Sequence, residues 1–213
     1  MTRTALLLCL AIAAGLHAKA LPDSTRDALL MGTPAWDPAT GRVAVVEAPA
    51  SCCVGMLQQI FLLDAKRGRF LETWGPRDIA EGNDSVAARH DRALLARLER
   101  LMASRGTRPL QAPDSTKPLP SSDGRHVAFA FTIDGKARRT RPLPVLTYPA
   151  PAPCCGATLD SVASHPEACR IGADTWKLWT LPNLGWALVA SYANHALDGC
   201  ERGPAFRIVR LVP

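Results

Sequence analysis

The chain has 213 residues, of which 47% are hydrophobic, 21% charged and 6% aromatic, and its formal charge is +6. These proportions exclude a disordered chain, a collagen-like fibre and a polytopic membrane protein, and they fit one globular domain. Seven cysteines are the unusual count.

Residues 1–20 have the layout of a secretory signal peptide: Arg3 gives a positive start, residues 5–16 an apolar run, and Ala18-Lys19-Ala20 a small-x-small cleavage pattern. The run falls short of the roughly twenty apolar residues that span a bilayer as a helix, and no later stretch reaches that length. The expectation is export to the periplasm or the extracellular space, with cleavage near Ala20. Cleavage would remove Cys9, taking seven cysteines to six, and Arg3 with Lys19, taking +6 to +4. An even cysteine count in an exported chain predicts disulfides. The remaining charge is small and dispersed, which does not point to nucleic acid.

Residues 21–32 are short and mixed, enough for one or two helical turns. Residues 36–42 (WDPATGR) form a turn cluster before the β-branched run Arg42–Glu47. Gln59–Asp64, a turn containing Gly68, and Arg69–Trp74 read as a β-hairpin. Residues 83–106, with a core near 84–105, are the clearest helix: Asp84 or Ser85 can cap its start and Gly106 can close its end. Ala87, Leu94, Leu95, Leu98, Leu101 and Met102 recur on one face, Arg89, Arg92, Arg97 and Arg100 occupy much of the remainder, and His90 is expected on the helix surface.

Half of the eighteen prolines lie between Thr107 and Cys154. Residues 107–122 and 141–153 are therefore expected as proline-rich connecting loops. Between them, His126–Ile133 reads as a strand, Asp134-Gly135 as a two-residue turn and residues 136–141 as the returning arm. Residues 175–181 and 186–192 make a further hairpin, residues 193–204 a polar loop with Cys200, and Ala205–Val212 a last strand. One amphipathic helix against about seven strands predicts a mainly β or α+β fold of antiparallel hairpins, stapled by disulfides and forming a single domain over residues 21–213.

Residues 37–46 (DPATGRVAVV) and 122–131 (SDGRHVAFAF) both place Gly-Arg in a tight turn before an apolar strand. These turns resemble the Gly-Arg hairpins of β-propeller blades. Two of them, some 80 residues apart with a helix between, are too few for the four or more blades of about 40 residues that a propeller needs. The order of the elements is also similar to a family of predicted secreted bacterial proteins of unknown function. Gly41-Arg42, the helix around residues 87–102, and Gly203-Pro204 with Arg207 are the matching positions. The resemblance implies export and brings no catalytic residue with it.

The disulfide candidates are Cys52, Cys53, Cys154, Cys155, Cys169 and Cys200. Adjacent cysteines bond to each other only with strained geometry, so each member of the two adjacent pairs is expected to bond elsewhere. A competing reading is metal handling. Cys154-Cys155, His165 and Cys169, with Cys52-Cys53 near Met56, offer thiolate, imidazole and thioether ligands suited to copper(I) or zinc(II). His165-Pro166-Glu167 resembles the His-x-Glu element of zinc deaminases, but there the cysteine pair comes later and is spaced by two residues. No G-x-S-x-G, H-E-x-x-H, S-x-x-K or P-loop motif is present. His126 and His195 stand in unrelated settings, and Asp23, Asp27, Asp37 and Glu72 are not singled out as an acid–base pair. Trp176, Trp179 and Trp186 could stack on sugars, but strand periodicity places the first two on opposite faces and makes core packing the expected role. Lys136, Arg138, Arg139 and Arg141 form the densest basic run.

These residues point to a non-catalytic binding, accessory or inhibitor-type protein of the cell envelope. It would bind a protein or an envelope component through the segments around Cys52-Cys53, residues 149–169 and residues 193–204, with no cofactor. The alternatives are a copper- or zinc-handling protein and an enzyme whose site is assembled only in space.

Overall fold

The structure, a computed structural model, describes residues 21–47, 58–75, 84–102, 106–148, 169–181, 184–193 and 204–212. The first twenty residues and five of the six candidate cysteines lie outside these; Cys169 is described only through its backbone. Two helices and thirteen strands follow in order: α1 (Asp23–Leu30), β1 (Ala35–Asp37), β2 (Arg42–Glu47), β3 (Gln59–Asp64), β4 (Arg69–Trp74), α2 (Asp84–Leu101), β5 (Arg108–Pro109), β6 (Ser115–Pro120), β7 (His126–Ile133), β8 (Lys136–Thr140), β9 (Leu143–Pro144), β10 (Leu146–Tyr148), β11 (Cys169–Leu181), β12 (Trp186–Ala193) and β13 (Ala205–Val212). The mainly β, antiparallel class expected from sequence is what forms, with one more helix and about twice as many strands.

A five-stranded sheet runs β4-β3-β2-β1-β5, and an eight-stranded sheet runs β10-β11-β12-β13-β8-β7-β6 with β9 beside β7. The runs of β2 and β3 are apolar on both faces, and both faces are buried. Trp36, Val43, Val45, Phe61 and Leu63 face Trp179, Leu181, Leu188, Ala190 and Ile208 of the second sheet. Ala35, Ala44, Val46, Ile60 and Leu62 share the opposite core with Leu29, Leu94, Leu98, Leu101 and Met102 of the helical side.

The second sheet folds back over itself. β13 meets β8 through only Leu211↔Thr140 and Val212↔Arg139. Beyond that seam, Val127, Phe129 and Phe131 of β7 join Leu178, Ala187, Val189 and Val209 in a third core. The β11–β13 layer is therefore covered on both sides, which accounts for the unbroken apolar run from Trp186 to Ala190.

Turn chemistry sets the hairpins. Asp37 Oδ1 accepts from the Ala39 N–H at 2.9 Å, the Gly41 N–H donates to Asp37 O at 2.8 Å, and Gly41 takes φ 71°. The turn from Asp64 to Arg69 repeats this pattern: Lys66 N–H donates to Asp64 Oδ1 at 3.0 Å, Gly68 N–H to Asp64 O at 2.9 Å, with φ 64° at Gly68. Each is an Asp-x-x-x-Gly-Arg turn, and the two abut through the Ala65 N–H, which donates to Gly41 O at 2.8 Å. Asp134 and Gly135 both adopt positive φ, 49° and 69°, the geometry that suits a two-residue hairpin.

Three expectations need correction. Residues 107–122 are not only a connector: they contain β5 and β6, and residues 141–153 contain β9 and β10. β6 forms despite Pro118 and Pro120 because it is an edge strand. Ser121 N–H donates inward to His126 O at 2.9 Å, and since N–H direction alternates, the two prolines occupy outward-facing positions where no donor is needed. The second helix stops at Leu101, short of Gly106; the Thr107 hydroxyl, not the glycine, meets its end, donating to Met102 O at 2.8 Å. His90 is buried, not on the surface: its ring stacks on Trp74 at 6.0 Å and its Nε2 lies 2.7 Å from Gln58 O.

Candidate functional site

Antiparallel register places several chain ends at one end of the two sheets. β2 finishes at Glu47, opposite the start of β3 at Gln59, and β4 finishes at Trp74, opposite Ile60. In the second sheet Tyr148 pairs with Cys169, Ala193 with Ile171 and Ala205 with Ser191. The segments 48–57, 149–168 and 194–203 leave and rejoin the described strands at these points, and with Cys169 they contain all six candidate cysteines.

The two sheets are tied together at this end by a polar cluster. Glu47 continues the Val43/Val45 face of β2, Tyr192 the Leu188/Ala190 face of β12, and Lys177 the Trp179 face of β11, so all three point into the gap between the sheets. The Tyr192 hydroxyl lies 2.8 Å from Glu47 Oε1 and 3.0 Å from Oε2, donating to the carboxylate. Lys177 Nζ stands 3.7 Å from Glu47 Oε1 and 5.2 Å from the centre of the Tyr192 ring. The Glu47 side chain is 18% exposed, whereas that of Lys177 is 55% exposed.

Burial, then the hydrogen bond to Glu47 and its negative charge, push the Tyr192 phenol far above its ordinary value of 10.0. Tyr192 is thus held as a neutral donor and cannot supply a phenolate base or nucleophile near neutral pH. What the cluster can do is clamp two strand ends across the inter-sheet gap. Replacing Tyr192 by phenylalanine removes a hydrogen bond to a charged group, and the expected loss is about 1.5–3 kcal/mol in chemical denaturation. The sign of the pH effect follows from the raised phenol. The unfolded chain releases this proton near pH 10 and the folded chain does not, so this stabilisation is complete below pH 10 and declines as pH rises above it. The Tyr192→Phe protein should lack that alkaline decline.

The remaining sequence candidates do not converge. Asp23 and Asp27 pair with Arg26, Asp37 is used in its own turn, and Glu72 binds Arg97 at 2.9 Å. His126 is exposed at the start of β7. Trp179 and Trp186 pack with the core between the sheets and Trp176 with the third core, 5.3 Å from Phe129, as strand alternation predicts. His165, His195, Cys52, Cys53, Cys154, Cys155 and Cys200 lie outside the described residues. Among the described residues no three His, Cys, Asp or Glu side chains are grouped as a metal site, and no helix is long and apolar enough to cross a membrane. The sequence reading missed Glu47 and Tyr192. Their signal was parity, a polar residue closing an otherwise apolar strand face on each of two strands.

No family model, curated protein or solved structure matches the chain.

Proposed function

We propose that this chain is an exported, disulfide-stapled binding protein of the cell envelope that acts without catalysis. Its recognition surface is the end of the sheets where segments 48–57, 149–168 and 194–203 join the strands. The observation supporting this reading is the convergence of Glu47, Tyr148, Cys169, Ala193 and Ala205 at that end. Segments mounted on a rigid sheet end are where recognition residues commonly sit. Disulfides between them would limit the ordering entropy lost on binding. The signal-peptide pattern and the even cysteine count after cleavage point in the same direction.

The test is expression with the chain's own leader in a bacterial host, followed by intact-mass and metal measurement of the native product. A start at Leu21, no free thiol and no retained metal is the expected result. Several free thiols protected by a stoichiometric metal that a chelator releases would overturn it in favour of copper or zinc handling. An unprocessed chain retained in the cytoplasm would overturn export itself.

A further inference from the structure

The basic run on the β7–β8 hairpin is divided by strand alternation. Lys136 and Arg138 share a face with Ile133 and Phe131, opposite which they pair, while Arg139 is opposite Ala130 and Val212. Ala130 is in turn opposite Lys117 of β6. Beyond the end of β8, the Arg141 N–H donates to Arg210 O at 2.9 Å, which extends the register and sets Arg141 beside Arg210. One face of β6–β7–β8 and the end of β13 therefore presents Lys117, Arg139, Arg141 and Arg210, all exposed. Its floor is small: Ala128, Ala130, Thr132 and Ala137.

None of the four cations forms an ion pair with a described residue; Arg210 instead lies over the Trp186 ring at 5.4 Å. The nearby acids are confined to turns and strand ends. Asp123 is held by Ser121 and Arg125 N–H, Asp134 lies at the hairpin tip and Asp114 precedes β6. The cations are spread in two dimensions. Lys117 and Arg139 are two strand spacings apart, about 10 Å, and Arg139 and Arg141 are about 7 Å apart along the strand. The larger apolar side chains that share this face, Leu119 and Val212, are half-buried, and the Trp186 ring lies under Arg210.

We propose that this face docks electrostatically on the phosphate headgroups of an anionic lipid bilayer. A set of cations spread in two dimensions, with no ion partner among the described residues, complements an array of phosphates better than a single linear chain of anions. With its apolar side chains half-buried and its cations exposed, the face attaches peripherally and reversibly by salt. β13 runs from Ala205 at the cysteine-bearing end to Val212 beside the basic face, so the two surfaces involve different parts of the sheet. The inference does not depend on the proposed function, because it uses a sheet face and not the sheet end where the cysteine-bearing segments join.

The test is co-sedimentation of the full mature chain with vesicles of phosphatidylcholine and phosphatidylglycerol in equal parts, against phosphatidylcholine alone. The protein should bind only the anionic vesicles and dissociate in about 1 M salt, where the screening length falls to about 3 Å. Each cation contributes about five-fold to binding, so Lys117→Glu, Arg139→Glu and Arg141→Glu together should weaken it by about a hundred-fold or more. Arg89→Glu, Arg92→Glu and Arg100→Glu on the second helix change the net charge equally and should leave most binding intact. The three glutamine replacements at 117, 139 and 141 keep the test readable if the reversed variant does not fold. Equal losses in both triple variants, no binding to anionic vesicles at low salt, or binding to soluble heparin without binding to vesicles would each overturn the proposal.

Discussion

Replacing Phe129 with alanine should destabilise the protein by about 3–5 kcal/mol, the range for deleting a buried aromatic ring. Phe129 is fully buried and is among the largest side chains with no exposure. It sits where β7 turns back over β11–β13, among Leu178, Ala187, Val189 and Val209, and its ring is 5.3 Å from that of Trp176. Its N–H donates to the buried Thr140 Oγ1 at 3.0 Å, close to the two-residue seam with β13. The seam has few backbone pairs, so side-chain burial must hold the fold-back in place. A urea titration should show the midpoint falling with little change in slope. A loss below about 1 kcal/mol would mean that β7 does not pack against β11–β13 as described.

The second large effect is expected on the helical side. Leu98→Ala should cost about 2–5 kcal/mol, because Leu98 is fully buried with Leu94 and Met102 against Ala44, Val46, Ile60 and Leu62. Arg92→Ala, on the exposed face of the same helix, should stay within about 0.5 kcal/mol of the parent. Both proteins retain good helix formers, so propensity does not separate them. Similar losses in the two would contradict the assignment of the helix's inner face.

The hairpins were legible because two local signals agreed at each of them. Apolar runs marked Gln59–Asp64 and His126–Ile133, while Gly68 and Asp134-Gly135 marked the turns that follow them, with positive φ. β6 escaped because proline argues against a strand unless the strand is known to lie at an edge, and edge position is a property of the whole sheet. His90 escaped for a similar reason. Its burial depends on Trp74 and Gln58, which belong to other elements. Glu47 and Tyr192 are 145 positions apart, and only the pairing of β2 and β12 faces across the gap brings them together. The order of strands, and with it the gathering of strand ends such as Glu47, Tyr148, Ala193 and Ala205 at one end of the sheets, depends on long-range pairing that no local pattern specifies.

The most direct test of the central claim is a disulfide map of the natively exported protein, made by peptide mass spectrometry without reduction. The proposed function predicts six cysteines in three bonds, none between adjacent residues, with Cys52 and Cys53 each joined to one of Cys154, Cys155, Cys169 or Cys200. A bond from Cys52 or Cys53 to Cys154 or Cys155 closes a loop of about 100 residues, nominally worth about 4–5 kcal/mol. Bonds confined within residues 149–169, or thiols left free at residues 52 and 53, would contradict the reading of this end as a stapled recognition surface.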